Sequence, residues 1–242
     1  MATSITNTSV TTDNLTVDTN VLHVDSTNNR VGIGTTSPAD HLSVVTTGAN
    51  AQLSVDRSDG GAGRTVLIHS TTGGQLQTTG SVPLIFGTAD IERMRINSNG
   101  HITTPNQPSF LMKKYSGGST AIANNSVWTY DEALTNVGGH ANISNGRFTA
   151  PVAGSYCFMW HNIGESSSTV YRSFIRYNAS STWGTGSYRL ESRNYHSQGY
   201  PNASAQVVVY LNASDYVDIY VSGGSIYSDT TNGVWFCGFL IG

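Results

Sequence analysis

Residues 145–161 read NGRFTAPVAGSYCFMWH. Asn145-Gly146 is a turn dipeptide, because glycine enters left-handed backbone without steric cost. A short apolar strand around Phe148 follows, and Pro151 and Gly154 bend the chain behind it. Beyond the bend, Tyr156, Phe158 and Trp160 recur at every second position. A period of two puts all three rings on one face of a strand, which predicts the inner face of a sheet.

The rest of the chain carries the same signals. Short apolar alternations separated by Gly, Asn, Asp and Ser recur throughout, and no segment holds a helical period over ten or more residues. The chain therefore reads as all-β. Its texture changes once. Up to about residue 105, Phe86 is the only aromatic ring, whereas every Trp and Tyr lies beyond it. Thr104-Pro105-Asn106-Gln107-Pro108, with two prolines, reads as a stiff extended linker between the halves. The reading is a β module over 1–46, a second over 47–105 and a globular head over 106–242. Small aliphatics such as Val17, Val21, Leu22, Val31, Ile33 and Leu42 suit a thin fibrous or intertwined assembly of several chains, a trimeric shaft. In the first module Asn28-Asn29 marks a hairpin turn, and Val31-Gly32-Ile33-Gly34 requires close backbone approach.

Composition narrows the function. Charged residues are 11% of the 242, the formal net charge is −3, and lysine occurs only as Lys113-Lys114. That leaves no electrostatic footprint for nucleic acid. No apolar run approaches the roughly 18 residues of a membrane span. The N-terminus has neither the charged nor the apolar region of a secretory signal, so synthesis in a cytoplasm is expected. Cys157 and Cys237 are far apart and outside any metal spacing, which predicts two free thiols, with a disulfide between them left open.

Catalytic chemistry finds little support. Gly32-Ile33-Gly34 lacks the third glycine and following helix of a dinucleotide loop. There is no Gly-x-Ser-x-Gly elbow. Glu165 with Glu191 is the nearest approach to a carboxylate pair, and it stays weak. The seven histidines show no ligand spacing, so no cofactor and no metal are expected. A structural cation on a three-fold axis stays open, since one His per chain would supply three ligands there. Asn-x-Ser/Thr sequons, as at Asn142 and Asn178, follow from a composition rich in Ser, Thr and Asn.

Two resemblances add to this reading. Phe110-Leu-Met, Thr129-Tyr-Asp-Glu-Ala-Leu-Thr-Asn-Val-Gly-Gly-His, the 145–161 stretch, Leu211-Asn-Ala-Ser-Asp-Tyr-Val and Phe236-Cys-Gly-Phe-Leu-Ile follow one another in order. Together they resemble the globular head of the complement one-q family, related to tumour necrosis factor, with Ser214 where the family usually has Gly. The resemblance implies a ten-strand-type jelly-roll sandwich, a homotrimer and a binding role without catalytic residues. NRVGIGTTSPADHLSV (29–44) and IERMRINSNGHI (91–102) resemble shaft modules of bacteriophage fibres. That implies a virion protein, made in host cytoplasm, whose N-terminal region joins other virion proteins. Reversal of an antiparallel chain at each turn places 161–170, 192–204 and 222–233 at the end away from the linker, and 178–187 and 211–215 beside it. Asn194, Tyr195, His196, Gln198, Tyr200, Asn202 and Tyr227 are thus the expected receptor-binding residues, for a host-surface glycan or protein. The alternative is a capsid decoration or fibre cap whose head only trimerises and registers the assembly.

Overall fold

The computed structural model describes residues 14–17, 21–56, 64–165, 170–180, 190–195, 199–231 and 233–242, at 14–17, 55–56, 119–120 and 194–195 as backbone only. No helix occurs among them. The chain divides between Thr104 and Pro105 into two compact units.

Among the described residues the first unit holds three small sheets. β1 (Asn14–Val17), β2 (Leu22–Asp25) and β3 (Arg30–Ile33) run antiparallel, and β4 (Leu42–Val44) joins β3 in parallel. At the β2–β3 turn the Asp25 carboxylate accepts the backbone N–H groups of Thr27 and Asn28, and Asn29 takes a positive φ of 55°. The close approach expected at Gly32 and Gly34 is real. A Cβ at Gly34 would fall 2.0 Å from the Val45 carbonyl oxygen, so only glycine fits. β5 (Ala51–Asp56), β6 (Arg64–Ser70) and β7 (Gly73–Thr78) form an antiparallel meander, as do β8 (Leu84–Thr88), β9 (Ile91–Ile96) and β10 (Ile102–Thr103). In the first meander Val66 and Ile68 are buried. The opposite face carries Leu53, Leu67 and Leu76 directly across from one another, each about half exposed.

The second unit is a sandwich of two five-stranded sheets. Its strands are β11 (Ser109–Lys114), β12 (Gly118–Ile122), β13 (Glu132–Val137), β14 (Ala141–Asn142), β15 (Arg147–Thr149) and β16 (Gly154–Ile163). They continue with β17 (Val170–Tyr177), β18 (Glu191–Tyr195), β19 (Asn202–Leu211), β20 (Tyr216–Ser222), β21 (Ile226–Ser228) and β22 (Val234–Leu240). The first sheet runs β13-β11-β22-β16-β19 and the second β14-β15-β20-β17-β18, with β12 and β21 paired beside them. Consecutive strands rarely lie side by side in these sheets, so the chain crosses repeatedly between layers, as in a jelly roll.

Aromatic rings fill the space between the layers. Phe148, Tyr156, Phe158, Trp160 and Phe236 are all essentially buried. Phe110 stacks on Phe148 with centroids 4.8 Å apart and meets Phe236 edge-on at 4.9 Å. Offset and edge-to-face contacts are the arrangements the ring quadrupole favours. The Asn145-Gly146 turn is as tight as the dipeptide implies: Gly146 has φ 68°, and a Cβ there would overlap the Trp128 carbonyl oxygen at 1.7 Å.

The outward face of the first sheet is also apolar. The strand period that buries Phe236 turns Trp235, Cys237 and Phe239 outward on β22. Cys157 and Met159 on β16, with Val208 and Tyr210 on β19, extend the same surface. Phe239 thus lies outside the core, 42% exposed. Both thiols are free, on neighbouring strands, with Cys237 opposite Met159. Burial, then the nearby Cys157 charge, pushes the Cys237 thiol up to about 11, which keeps it protonated and unreactive at neutral pH.

Candidate functional site

Hydrogen bonds identify the two ends of the head. Beside the entering chain, Gln107 donates to the Leu240 carbonyl at 2.6 Å, and Ser155 N–H donates to the Gly242 carbonyl at 2.8 Å. The start of β16 and the end of β22 therefore lie at the base. β16 then runs ten residues to Ile163, about 30 Å away at the usual rise of a strand. Residues 164–165, 199–202 and 223–226 gather at that distal end: Gly164 N–H donates to the Pro201 carbonyl and Glu165 N–H to the Ser225 carbonyl. Asn178 and Asp215 sit at the base, where Asn178 N–H donates to the Tyr216 carbonyl.

A buried polar network supports the distal loops from below. The Trp160 indole donates to the Ser173 hydroxyl at 2.8 Å, and the Asn162 amide donates to the same oxygen. The Tyr171 hydroxyl lies between the Asn162 side-chain oxygen, at 3.0 Å, and the Pro201 carbonyl. All four side chains are buried. Burial pushes the Tyr171 phenol up to about 12, so it stays a neutral donor. The alternation of β16 breaks here, since Asn162 and Ile163 are both buried; a polar Asn after a run of inward rings was the only hint in the sequence.

Of the expected receptor-binding residues, the structure brings two together. The Tyr200 and Tyr227 rings lie 4.4 Å apart, centroid to centroid, and are tilted by 39°. Tyr200 is about half exposed and Tyr227 partly so. The Tyr227 hydroxyl donates to the Asp229 carboxylate, which raises the phenol above its ordinary value. Asn202 opens β19 opposite Ile163. Asn194 and Tyr195 end β18, with Tyr195 opposite Val170 in the register. His196 and Gln198 lie outside the described residues, as does Trp183, expected beside the base loops. Asp229, which holds Tyr227, was not singled out by sequence reasoning, because its role depends on a turn only the fold reveals.

The weak carboxylate pair has a different use: Glu191 is engaged by Arg193 at 2.5 Å. Among the described residues, no three His, Cys, Asp or Glu side chains are grouped to hold a metal ion. On the outward face of the second sheet Asp218 is completely buried. Arg176 grips it with two bonds, at 2.6 and 2.9 Å, and Arg147 lies 3.5 Å away.

The globular domain of zebrafish complement 1qA protein is similar over 56% of this chain and 98% of its own, at 20% identity and a TM-score of 0.44. Eiger TNF from S. frugiperda is similar over 56% of this chain and 94% of its own, at 9% identity and a TM-score of 0.40. Murine APRIL is similar over 55% of this chain and 99% of its own, at 9% identity and a TM-score of 0.39. The family model of the C1q domain matches residues 110–241, from the first strand of the sandwich to the last. The chain belongs to the C1q domain family.

Proposed function

We propose that the protein is a homotrimeric virion fibre protein of a bacteriophage whose head adsorbs to a host-surface receptor, a glycan, without covalent chemistry. The observation that carries this reading is a pair of features on the head. One is an apolar sheet face suited to copies of itself, and the other is an open aromatic pair at the end away from the linker.

Val208 and Tyr210 are 59% and 62% exposed, and across β16 they share one face with Trp235, Cys237 and Phe239, an apolar surface that a lone soluble domain rarely leaves to water. Three copies arranged head to tail around an axis would cover it in a closed ring. The leucine row of β5, β6 and β7 fits the same arrangement in the first unit, where the fibre-like phrases of 29–44 and 91–102 lie. That unit would join other virion proteins, and the finished fibre would be displayed on the particle after synthesis in host cytoplasm.

Tyr200 and Tyr227, whose rings meet at 4.4 Å, would form a platform on which sugar faces stack. Single sites of this kind are weak, and three per fibre give useful avidity. The test is adsorption of fluorescent full-length protein to candidate host cells. Tyr200→Ala with Tyr227→Ala should abolish adsorption and leave the oligomer intact. Undiminished adsorption would move the site elsewhere; a parent protein that ignores a confirmed host would favour the fibre-cap role, in which the rings only pack the loops.

A further inference from the structure

The outward face of the second sheet carries an arrangement that stability alone disfavours. Arg172 on β17 stands directly opposite Arg193 on β18, so both side chains project from the same face. Opposed residues in an antiparallel pair have Cβ atoms about 4.5–5.5 Å apart, and like charges so placed repel. Arg193 has Glu191 as its partner, and Arg147 and Arg176 share Asp218. Arg172 has no carboxylate partner among the described residues, and its other cross-strand neighbour is the neutral Ser222.

The platform beneath these cations is rigid. Phe174, one step along β17, is buried at 3% exposure and lies 5.3 Å from the Tyr220 ring. The Arg176 guanidinium covers Tyr220 at 4.8 Å, and Arg147 covers Tyr216 at 4.1 Å. Four arginines against Asp218 and Glu191 leave this face net positive, in a chain whose total charge is −3. The Arg172 end of β17 is the distal end, and the trimer proposed above would leave this sheet open.

We propose that Arg172 and Arg193 form a subsite for the carboxylate groups of an acidic polysaccharide. The inference rests on the reading of the head as a glycan-binding module and names the class of glycan. A guanidinium fork matches a carboxylate with two parallel hydrogen bonds, and an incoming anion removes the repulsion between the two arginines. Ser222 supplies a hydroxyl in the same row for a neighbouring sugar oxygen. Nucleic acid fits less well, because among the described residues the four arginines less the two carboxylates leave this face only two charges positive, and the chain as a whole is acidic.

The test is binding of the full-length protein to polygalacturonate, with its methyl ester and dextran as uncharged controls and a DNA oligonucleotide as a second polyanion. Binding should be confined to polygalacturonate and weaken as salt rises. Arg172→Gln with Arg193→Gln should weaken it about tenfold or more, since two charge-assisted contacts go at each of three sites. Arg172→Gln alone, which breaks no bond within the protein and relieves the repulsion, should lower affinity without lowering the melting temperature. Equal binding to the methyl ester, stronger binding to DNA, or no response to Arg172→Gln would each overturn the inference. Polygalacturonate binding in a protein that ignores host cells would preserve it and sink the adsorption reading. Adsorption blocked only by neutral glycan would do the reverse.

Discussion

Gly164 lies against the ring of Tyr171 so closely that a Cβ at position 164 would fall 2.1 Å from a ring carbon. The contact joins the loop after β16 to the hydroxyl that holds Pro201, so one glycine sets the position of two distal loops.

Gly164→Ala should therefore cost about 1–3 kcal/mol by overpacking, because the buried Tyr171 ring has no room to retreat. Thermal unfolding measures it. A variant as stable as the parent would show that these loops are not clamped as described.

Ser214 has a φ of 74°, where a side chain is strained and glycine is not. Its N–H donates to the Ala150 carbonyl at 2.8 Å, so the turn is tied to a buried residue just past β15. Ser214→Gly should stabilise the head by about 0.5 kcal/mol, the relief of strain less the entropy glycine adds to the unfolded chain. A lowered melting temperature would contradict this account of the turn.

Asp131 sets an acid limit. Burial alone would raise its carboxyl, but donation from the Tyr115 N–H at 2.8 Å, the Ser116 hydroxyl at 2.8 Å and Lys114 at 3.1 Å outweighs it. The folded value lies below the ordinary 3.8, so the contribution is complete above that pH and lost as pH falls through the folded value. Asp131→Asn should cost about 1–2 kcal/mol at pH 7 and lose less on further acidification than the parent. Parallel stability curves below pH 4 would show that Asp131 is not part of the acid response.

Much of this fold was legible in single residues. The alternation of Tyr156, Phe158 and Trp160 located the core, because a strand has only two faces and rings of that size leave water. Asn145-Gly146 announced its turn and Gly34 its close backbone approach, since few other residues fit there. The Ser214 substitution was visible too, and the structure adds its physical content, a left-handed serine. What stayed hidden depends on pairing between distant strands. The Arg172–Arg193 opposition arises from the pairing of β17 with β18, and neither residue stands out alone. The network of Trp160, Asn162, Tyr171 and Ser173 unites two strands from different sheets, so no local period could reveal it. The Tyr200–Tyr227 contact lies between: both rings were expected at one end, but their meeting required the fold.

The account stands on self-association of the head through the outward face of its first sheet, and light scattering of the purified full-length chain tests that most directly. At micromolar concentration the account predicts a single species of three times the 25.8 kDa chain mass. A monodisperse monomer would contradict it.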